Sequence, residues 1–521
     1  MLRDTGTNLS DLGHEIVFCP IIMDMEIEET PMMTPRRAIA IIGAGPIGLE
    51  VALLAHRRGY RVTMFERGDT ECHALLQWGS VKLFSPWSMN TSKAGKDVLK
   101  FRTGVSTDAP DVDVNSDTIF PSGREFYRAY LREISEHLTQ NGVDVRTGAE
   151  VVSVSRAGLS KGQEIGTAVR ASAKFNILVR NNDYDKDDEE EELLEGFDAV
   201  IDASGSYGNH NYMGRGGIPA VGERALAVAR EISYTIPSFF DGDRDEDGDR
   251  DANVTSPNFL RVPNKVITTL VVGSGASAIT SVNALLNLKH QRPPSPATAT
   301  AGNGDGDRDL HKVVWVTRRP NTEEKPLYAR VANDPLPMRD ALYRLGNGHG
   351  DAPALQCANT TADGQSIPCT RVHGVGVVRV ARIKDSTGVP SSGKDADTPP
   401  YRYRVTVADE SAQPTQVQTI DCHNVVANVG YRPDTSPTEE LQVHYCYATQ
   451  GPMKLAASLM AAGGGGDCLS QVAPGKETLR NPEPRLYIIG MKSYGRGSAF
   501  LLRIGYEQAA QVMDLLAEDF K

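Results

Sequence analysis

The sequence predicts an α/β fold in which two Rossmann-like dinucleotide-binding domains account for most of the 521 residues. Two glycine-rich segments, at 43–48 and 273–278, each follow a run of apolar residues that is typical of a buried parallel strand. Each segment then leads into residues with a helical apolar pattern. Because the two units lie about half the chain apart and the length suits roughly three domains, we expect two separate dinucleotide sites.

The first unit contains a strand at 38–42, the turn Gly-Ala-Gly-Pro-Ile-Gly and a helix from residue 46. Glycines in such a turn let the backbone approach a pyrophosphate, which the helix N-terminus stabilises. A second strand ends in Glu66, roughly 20 residues later, where a carboxylate can bind a ribose. The alternative is a glycine-rich turn of an unrelated α/β unit. The residues expected at this site are Gly43, Gly45, Pro46, Ile47, Gly48, Glu66 and Arg67.

The second unit contains a strand at 266–272 and a helix to about residue 288. The next strand, 313–316, ends in arginines instead of an acid, and an arginine can pair with a ribose 2′-phosphate. This favours NADPH over NADH, the alternative being a pair of exposed surface arginines. The spacing from the glycines to these arginines is normal if 290–310 is an inserted loop. The residues expected at this site are Gly273, Gly275, Ser277, Ala278, Arg318 and Arg319.

Later segments complete a recognisable order of motifs. The chain resembles the two-dinucleotide flavoproteins, which include flavin-containing monooxygenases, N-hydroxylating monooxygenases and pyridine nucleotide-disulfide reductases. Segments 198–205 and 425–433 resemble the two crossings between the domains of that group, and 486–490, with a helix from about Ser498, resembles its closing segment. The resemblance implies a glutathione-reductase-type arrangement, with FAD in the first domain and NAD(P)H in a second domain inserted into the first. It also implies cofactor contacts from Ser204, Gly205, Gly430, Gly490 and Ser498.

The same resemblance implies the domain boundaries. They are a disordered N-terminal segment at 1–35, an FAD-binding domain at 36–237, an acidic linker at 238–260, an NAD(P)-binding domain at 261–433 and the second part of the FAD-binding domain at 434–521. Acidic residues concentrate at 183–195 and 241–251, which we predict to be solvated loops. The low-complexity stretches 293–306, 386–400 and 461–476 are also predicted to be disordered.

Differences from the usual motifs of this group limit the functions that the resemblance implies. Met491 stands after Gly490, where many relatives carry an aspartate, and the FxGxxxH fingerprint of flavin-containing monooxygenases is missing. The seven cysteines are scattered without a CxxC pair, and Cys72 is alone in the region where a redox pair would lie. Disulfide reduction is therefore disfavoured. The scatter also fits a reducing compartment, so we expect a cytoplasmic protein.

The resemblance then implies an FAD-dependent oxidoreductase that uses NADPH, and more narrowly a monooxygenase acting on a small organic substrate through a flavin C4a-hydroperoxide. The alternatives are an NAD(P)H:acceptor reductase without oxygen insertion and a flavin- and nucleotide-binding sensor or interaction protein. Two aromatic segments, 78–90 and 492–498, are expected to surround the flavin, although buried core tryptophans and exposed loop charges are the competing interpretations. The candidate catalytic residues are Trp87, Asn90, Tyr494 and Arg496.

Composition argues against several other classes of protein. The net charge of −12 comes without a basic stripe, which argues against nucleic-acid binding. No apolar run approaches the length of a membrane span, and no secretory signal pattern precedes the first strand. The 11 histidines form no cluster with metal-ligand spacing. We therefore expect a small-molecule substrate and molecular oxygen as the partners, with no metal and no prediction for the oligomeric state.

Overall fold

The structure is a computed structural model that describes residues 36–102, 113–182, 190–237, 259–260, 266–286, 310–348, 369–383, 401–409, 411–412, 415–462 and 473–521. In chain order, its strands are β1 (Ala38–Ile42), β2 (Arg61–Phe65), β3 (Asp144–Arg146), β4 (Ala149–Arg156), β5 (Phe175–Asn181), β6 (Glu191–Phe197), β7 (Ala199–Asp202), β8 (Ile232–Ser233), β9 (Val266–Val272), β10 (Leu310–Thr317), β11 (Thr370–His373), β12 (Val375–Arg382), β13 (Tyr403–Asp409), β14 (Gln416–Cys422), β15 (Asn424–Ala427) and β16 (Leu486–Ile488).

The α-helices lie between some of these strands and after the last one. They are α1 (Pro46–Arg57), α2 (His73–Leu76), α3 (Trp87–Asn90), α4 (Lys93–Arg102), α5 (Gly123–Phe126), α6 (Arg132–Gln140), α7 (Ala168–Ser172), α8 (Glu223–Val228), α9 (Ala276–Leu286), α10 (Pro337–Asn347), α11 (Met453–Ala461) and α12 (Leu502–Asp519). Local chemistry explains several boundaries. Proline occupies the first position of α1, where its missing N–H is not needed, and Ser122 with Glu125 forms a capping box at the start of α5.

The first unit is a five-stranded parallel sheet in the order β16-β7-β1-β2-β3. Alternate side chains of β1 point to opposite faces, as the two-residue period of a strand requires. Ile39 and Ile41 pack with α1 and α12, whereas Ala38, Ala40 and Ile42 pack with the antiparallel sheet β4-β5-β6. Both faces of this sheet are therefore covered, which accounts for the uninterrupted apolar sequence of β1.

The second unit repeats this construction. Its parallel sheet has the order β11-β10-β9-β15-β8, and the antiparallel sheet β12-β13-β14 accompanies it. Val271 and Trp315 pack with α9 on one face, whereas Leu270 and Val272 face the antiparallel sheet on the other. The repeated arrangement confirms the predicted α/β fold with two Rossmann-like units.

The order of the chain also confirms that the second unit is inserted into the first. Strands β1 and β7 lie in the first parallel sheet, β8 to β15 supply the second unit, and β16 returns to pair with β7. Strand β8 pairs with β15 although its residues fall within 36–237, the range assigned to the first domain. The domain boundaries themselves stay predictions.

The structure corrects two local predictions. The described end of the acidic run 183–195 forms β6, whose glutamates Glu191 and Glu192 are exposed on an edge strand, a position where charged side chains oppose further pairing. Helix α12 begins at Leu502 and not at Ser498, because Leu501 has extended backbone angles. Ser498 therefore lies in the preceding loop. The predictions for 1–35, 241–251, 293–306 and 386–400 lie outside the described residues, as does most of the prediction for 461–476.

A buried triad of charges joins the two separate parts of the first unit. Arg156 at the end of β4 donates from Nε to Glu483 at 2.7 Å, and Arg170 in α7 donates from Nη2 to the same carboxylate at 2.7 Å. The three side chains are fully buried. The backbone N–H of Gln442 also donates to Glu483, at 2.8 Å. These contacts hold the β4–β5 connection against the segment that precedes β16.

Candidate dinucleotide-binding sites

The three glycines of the first turn have three different surroundings. Gly43 has φ of +94°, and a Cβ there would lie 2.7 Å from the Cα of Ser204. A Cβ at Gly48 would overlap the carbonyl oxygen of Gly43, so this position is needed for close packing of helix on strand. A Cβ at Gly45 would meet no atom within 4 Å. Two glycines therefore permit packing, and the third leaves open space at the N-terminus of α1, where an anionic pyrophosphate would fit.

The acid that was predicted to bind a ribose lies beside this turn. Glu66 accepts hydrogen bonds from the backbone N–H groups of Ala44 and Gly68, each at 2.9 Å. A carboxylate can accept more hydrogen bonds than these, so Glu66 keeps capacity for ribose hydroxyls. The neighbouring Arg67 is exposed and lies 3.8 Å from Glu150. The position of Glu66 thus fits the predicted role.

The closing segment after β16 meets the first turn. Gly490 has φ of +67°, and a Cβ there would lie 3.5 Å from Ile47 in the first turn of α1. Two residues later, Lys492 is 2% exposed and donates from Nζ to Asp202 at 2.5 Å and to Ser204 Oγ at 3.1 Å. Sequence reasoning missed this contact because the lysine and the aspartate are 290 residues apart.

The adjacent residues at the end of β7 include Gly205. It has φ of +71°, and a Cβ there would meet no atom within 4 Å. The open space that Gly45 leaves at the end of β1 is therefore matched by open space at Gly205, after the neighbouring strand of the same sheet.

The second turn has the same division of roles. Gly273 has φ of +140°, and a Cβ there would overlap the carbonyl oxygen of Asn428. A Cβ at Gly275 would meet no atom within 4 Å. Ala278 is fully buried and packs beneath the turn, and Ser277 is half-buried in the first turn of α9. The second turn therefore has the same open position before a helix N-terminus, where an anionic pyrophosphate would fit.

Arginines follow β10 at the edge of the second site. Both Arg318 and Arg319 are exposed, and the Nη2 of Arg319 donates to the carbonyl oxygen of Ser274 at 3.3 Å. Sequence reasoning missed Tyr328, whose hydroxyl donates to the carbonyl oxygen of Gly275 at 3.2 Å. Its position 53 residues beyond that glycine gives no sequence signal for the contact.

Another glycine predicted from the resemblance lies at the second crossing. Gly430 has φ of +83°, and its carbonyl oxygen accepts a hydrogen bond from the backbone N–H of Asn211 at 2.9 Å. The side-chain amide of Asn211 also donates to the carbonyl oxygens of Val429 and Tyr431, at 3.4 and 3.3 Å. The second crossing is therefore hydrogen-bonded to the chain that follows the first crossing.

Two of the candidate catalytic residues pack or form hydrogen bonds inside the protein. Trp87 is 1% exposed and packs edge-on against Phe126, with ring centroids 5.9 Å apart. Asn90 is buried, and its amide donates to the carbonyl oxygens of Ser85 and Pro86 at 2.9 and 3.0 Å. The structure therefore gives Trp87 and Asn90 packing and local hydrogen-bonding roles in and around α3.

The other two candidates lie after β16. Tyr494 is 5% exposed, packs against Phe500 and shares an apolar core with Trp87, and its hydroxyl has no hydrogen-bond partner within the described residues. Arg496 is exposed and donates from Nε to Gln450 at 2.8 Å. The buried tyrosine hydroxyl is thus the candidate whose hydrogen-bonding capacity is unused.

The cysteines give no redox pair in the described part of the chain. Cys72 has its Sγ 3.4 Å from the carbonyl oxygen of Ala44, and burial, with the nearby charges of Glu66 and Glu71, raises the pKa of its thiol. Cys369, Cys422 and Cys446 likewise form no disulfide within the described residues. Among the same residues, no group of three or more histidine, cysteine or acidic side chains could hold a metal. None of the helices described combines the length and apolar character needed to cross a membrane.

Comparisons with known proteins agree with this architecture. The family model for pyridine nucleotide-disulphide oxidoreductases matches residues 38–75. Kynurenine 3-monooxygenase of Mycosarcoma maydis is 27% identical over 159 residues, which span 29% of this chain and only 24% of that protein. The bacillithiol disulfide reductase of Bacillus cereus is 15% identical with a TM-score of 0.52, covering 93% of this chain and 99% of that one. The ornithine N-hydroxylase of Kutzneria sp. 744 is also 15% identical, with a TM-score of 0.51, covering 94% and 100%.

Proposed function

We propose that this chain, whose order of motifs resembles that of the two-dinucleotide flavoproteins and whose fold is similar to solved structures of an oxidoreductase and a hydroxylase, is an FAD-dependent oxidoreductase that uses NADPH. More narrowly, we propose a monooxygenase that acts on a small organic substrate in the cytoplasm. The observation that carries the proposal is the pair of glycine turns. Each turn has one glycine in open space before a helix N-terminus and one in tight contact with a crossing segment.

FAD fits the first site and NADPH the second. At the first site, Gly45 and Gly205 leave room, the N-terminus of α1 would supply backbone N–H donors, and Glu66 would accept hydrogen bonds from a ribose. At the second, Gly275 leaves room and the guanidinium of Arg319 lies across the turn, where it would pair with a 2′-phosphate. Bound FAD would supply the redox chemistry, by accepting a hydride from NADPH and passing electrons onward.

The state of the cysteines favours an electron acceptor other than a protein disulfide. The reactive form of cysteine is the thiolate, and burial of Cys72 opposes its formation. None of the four cysteines that the structure describes forms a disulfide. Electrons would then leave the flavin to oxygen or to a small substrate. The similar solved structures include both an N-hydroxylase and a disulfide reductase, so this proposal depends on the thiols and not on the fold.

The segment after β16 supplies the residues that we propose near the reacting groups. Tyr494 offers a buried hydroxyl whose hydrogen-bonding capacity is unused within the described residues, and Arg496 offers an exposed cation tied to Gln450. Trp87 and Asn90 would act by shaping the α3 region, since their polar and aromatic groups are occupied by the fold.

The test measures NADPH oxidation and the fate of oxygen in the same reaction. Purified protein is assayed for bound FAD, reduced anaerobically with NADPH, and then mixed with isotopically labelled oxygen and a panel of small amines, thioethers and phenols. A monooxygenase incorporates label into one of these compounds, and that compound lowers the peroxide released per NADPH oxidised. An acceptor reductase would oxidise NADPH rapidly only with an added quinone or dye. Reduction that stays slow in every mixture would favour a nucleotide-binding sensor.

A further inference from the structure

A buried ion pair lies at the edge of the first sheet. Lys492 and Asp202 are 2% and 0% exposed, and the ammonium is 2.5 Å from the carboxylate. Ser204 completes the arrangement, because its N–H and Oγ both donate to Asp202 and its Oγ also accepts from Lys492 at 3.1 Å. An ammonium has more N–H donors than these two acceptors use, so it could bind a further acceptor without losing them.

The pair is next to the turn that would hold a pyrophosphate. A Cβ at Gly43 would lie 2.7 Å from the Cα of Ser204, the residue that Lys492 contacts. On the other side, Gly490 packs on Ile47 in the first turn of α1. The closing segment therefore carries the ammonium to Ser204, the residue that packs on the glycine turn in which Gly45 leaves open space.

The negative charges near the first glycine turn explain why a cation would be needed beside it. Glu66 and Asp202 both place carboxylates near the turn, and the diphosphate of FAD would add further negative charge. A buried ion pair gives little net stability compared with well-packed apolar residues, so packing alone does not account for a buried lysine.

We propose that Lys492 is a cofactor-binding residue whose ammonium contacts the diphosphate of FAD, with Asp202 and Ser204 as positioning residues. This rests on the proposed FAD site and adds to it a residue whose remaining N–H donor would bind a phosphate oxygen.

The experiment measures FAD binding to flavin-free protein by quenching of flavin fluorescence. Four proteins are compared: the parent, Lys492→Met, the double variant Asp202→Asn with Lys492→Met, and Lys454→Met as a control for an exposed lysine of α11. Loss of a charge-assisted contact should weaken FAD about tenfold to a hundredfold in both Lys492 variants. The control should bind as the parent does. Circular dichroism and the urea midpoint of each flavin-free protein report folding separately.

The double variant decides between the two roles of the lysine. Removing Lys492 alone leaves Asp202 as a buried unpaired carboxylate, whereas the double variant leaves no charge behind. If the double variant regains parental FAD affinity, Lys492 only neutralises Asp202 and the proposal is overturned. If it folds but stays weak, and binds ADP with a similar loss while adenosine binding is unchanged, the diphosphate contact is supported. A parent that binds no FAD would instead refute the proposed function.

Discussion

The Nη2 of Arg319 donates a hydrogen bond to the carbonyl oxygen of Ser274, at 3.3 Å, and so brings a guanidinium across the second glycine turn. The hydroxyl of Thr317 supports this position by donating to the carbonyl oxygen of Arg319 at 2.7 Å. Arg318 makes no corresponding contact within the described residues. The sequence alone could not distinguish these two neighbouring arginines. Among the residues that the structure describes, Arg319 contacts the second glycine turn and Arg318 does not.

Arg319→Ala should lower the preference for NADPH over NADH about tenfold to a hundredfold, the effect of losing a contact worth roughly 1.5–3 kcal/mol. Arg318→Ala should change the preference much less. Steady-state kcat/KM for both nucleotides measures the ratio in each variant. Equal ratios in the parent and in both variants would mean that the 2′-phosphate is recognised elsewhere.

Gly45→Val should yield folded protein without flavin. The Cβ would enter the open space where the diphosphate is expected, and the backbone at Gly45, with φ of −77°, is one that valine can adopt. Gly48→Val is the matched control, because its Cβ would overlap the carbonyl oxygen of Gly43 and destabilise the flavin-free protein by about 1–3 kcal/mol. Flavin absorbance per protein and urea unfolding distinguish the two. Full flavin content in Gly45→Val would refute the site.

Cys72→Ser should leave NADPH-dependent turnover within a few-fold of the parent. The thiol is fully buried against the carbonyl oxygen of Ala44, and its raised pKa keeps it protonated at neutral pH. For the same reason, iodoacetamide at pH near 8 should not label this residue in native protein, and peptide mass analysis checks this. Loss of turnover with normal flavin content would show that electrons pass through Cys72.

Glu483→Gln should destabilise the fold by about 3–5 kcal/mol, because two guanidinium groups would remain buried without their carboxylate. Glu477→Gln provides the control, since Glu477 pairs with Arg480 at an exposed position, where ion pairs contribute about 0–1 kcal/mol. Urea unfolding measures both. Equal losses in the two variants would contradict the special role of the buried triad.

The same variant should alter the acid dependence of stability. Burial would raise the pKa of Glu483, but hydrogen bonds from Arg170, the Gln442 backbone and Arg156 hold the pKa below its ordinary value. A carboxyl with a lowered folded pKa stabilises the fold above its unfolded pKa of about 4.3, and this contribution is lost as the pH falls through the folded pKa. The difference in unfolding free energy between parent and Glu483→Gln should therefore shrink below about pH 4. A constant difference would contradict the paired carboxylate.

The glycine positions could be predicted from the sequence because their chemistry is local. Gly43, Gly45 and Gly48 act within one turn and the helix that follows, so their spacing alone carries the pattern. The reach of Glu66 to the same turn follows from its place at the end of the adjacent parallel strand. The second turn, with Gly273 and Gly275, was predicted on the same grounds. These features gave the correct fold class.

Other parts of the site depend on tertiary contacts that no local pattern reports. The pairing of Lys492 with Asp202 requires β16 to lie beside β7. The local sequence around a tryptophan such as Trp87 does not show whether the side chain packs in a core or lies beside a ligand. Its burial against Phe126 could therefore not be predicted from the sequence. The start of α12 was predicted wrongly because Ser498 is a favoured capping residue, whereas the chain stays non-helical to Leu501.

The sheet order has a consequence for synthesis on the ribosome. The second parallel sheet is built from strands between residues 232 and 427 and can form as soon as they emerge, whereas β7 keeps an unpaired edge until residues 486–488 are made. At roughly 5–20 residues per second, that delay lasts on the order of tens of seconds. Until residues 486–488 are made, the edge of β7 is open to intermolecular pairing. Arg156 and Arg170 also lack the carboxylate of Glu483 until that residue has been synthesised. The N-terminal half of the nascent chain is therefore the part with the greatest need of chaperone protection.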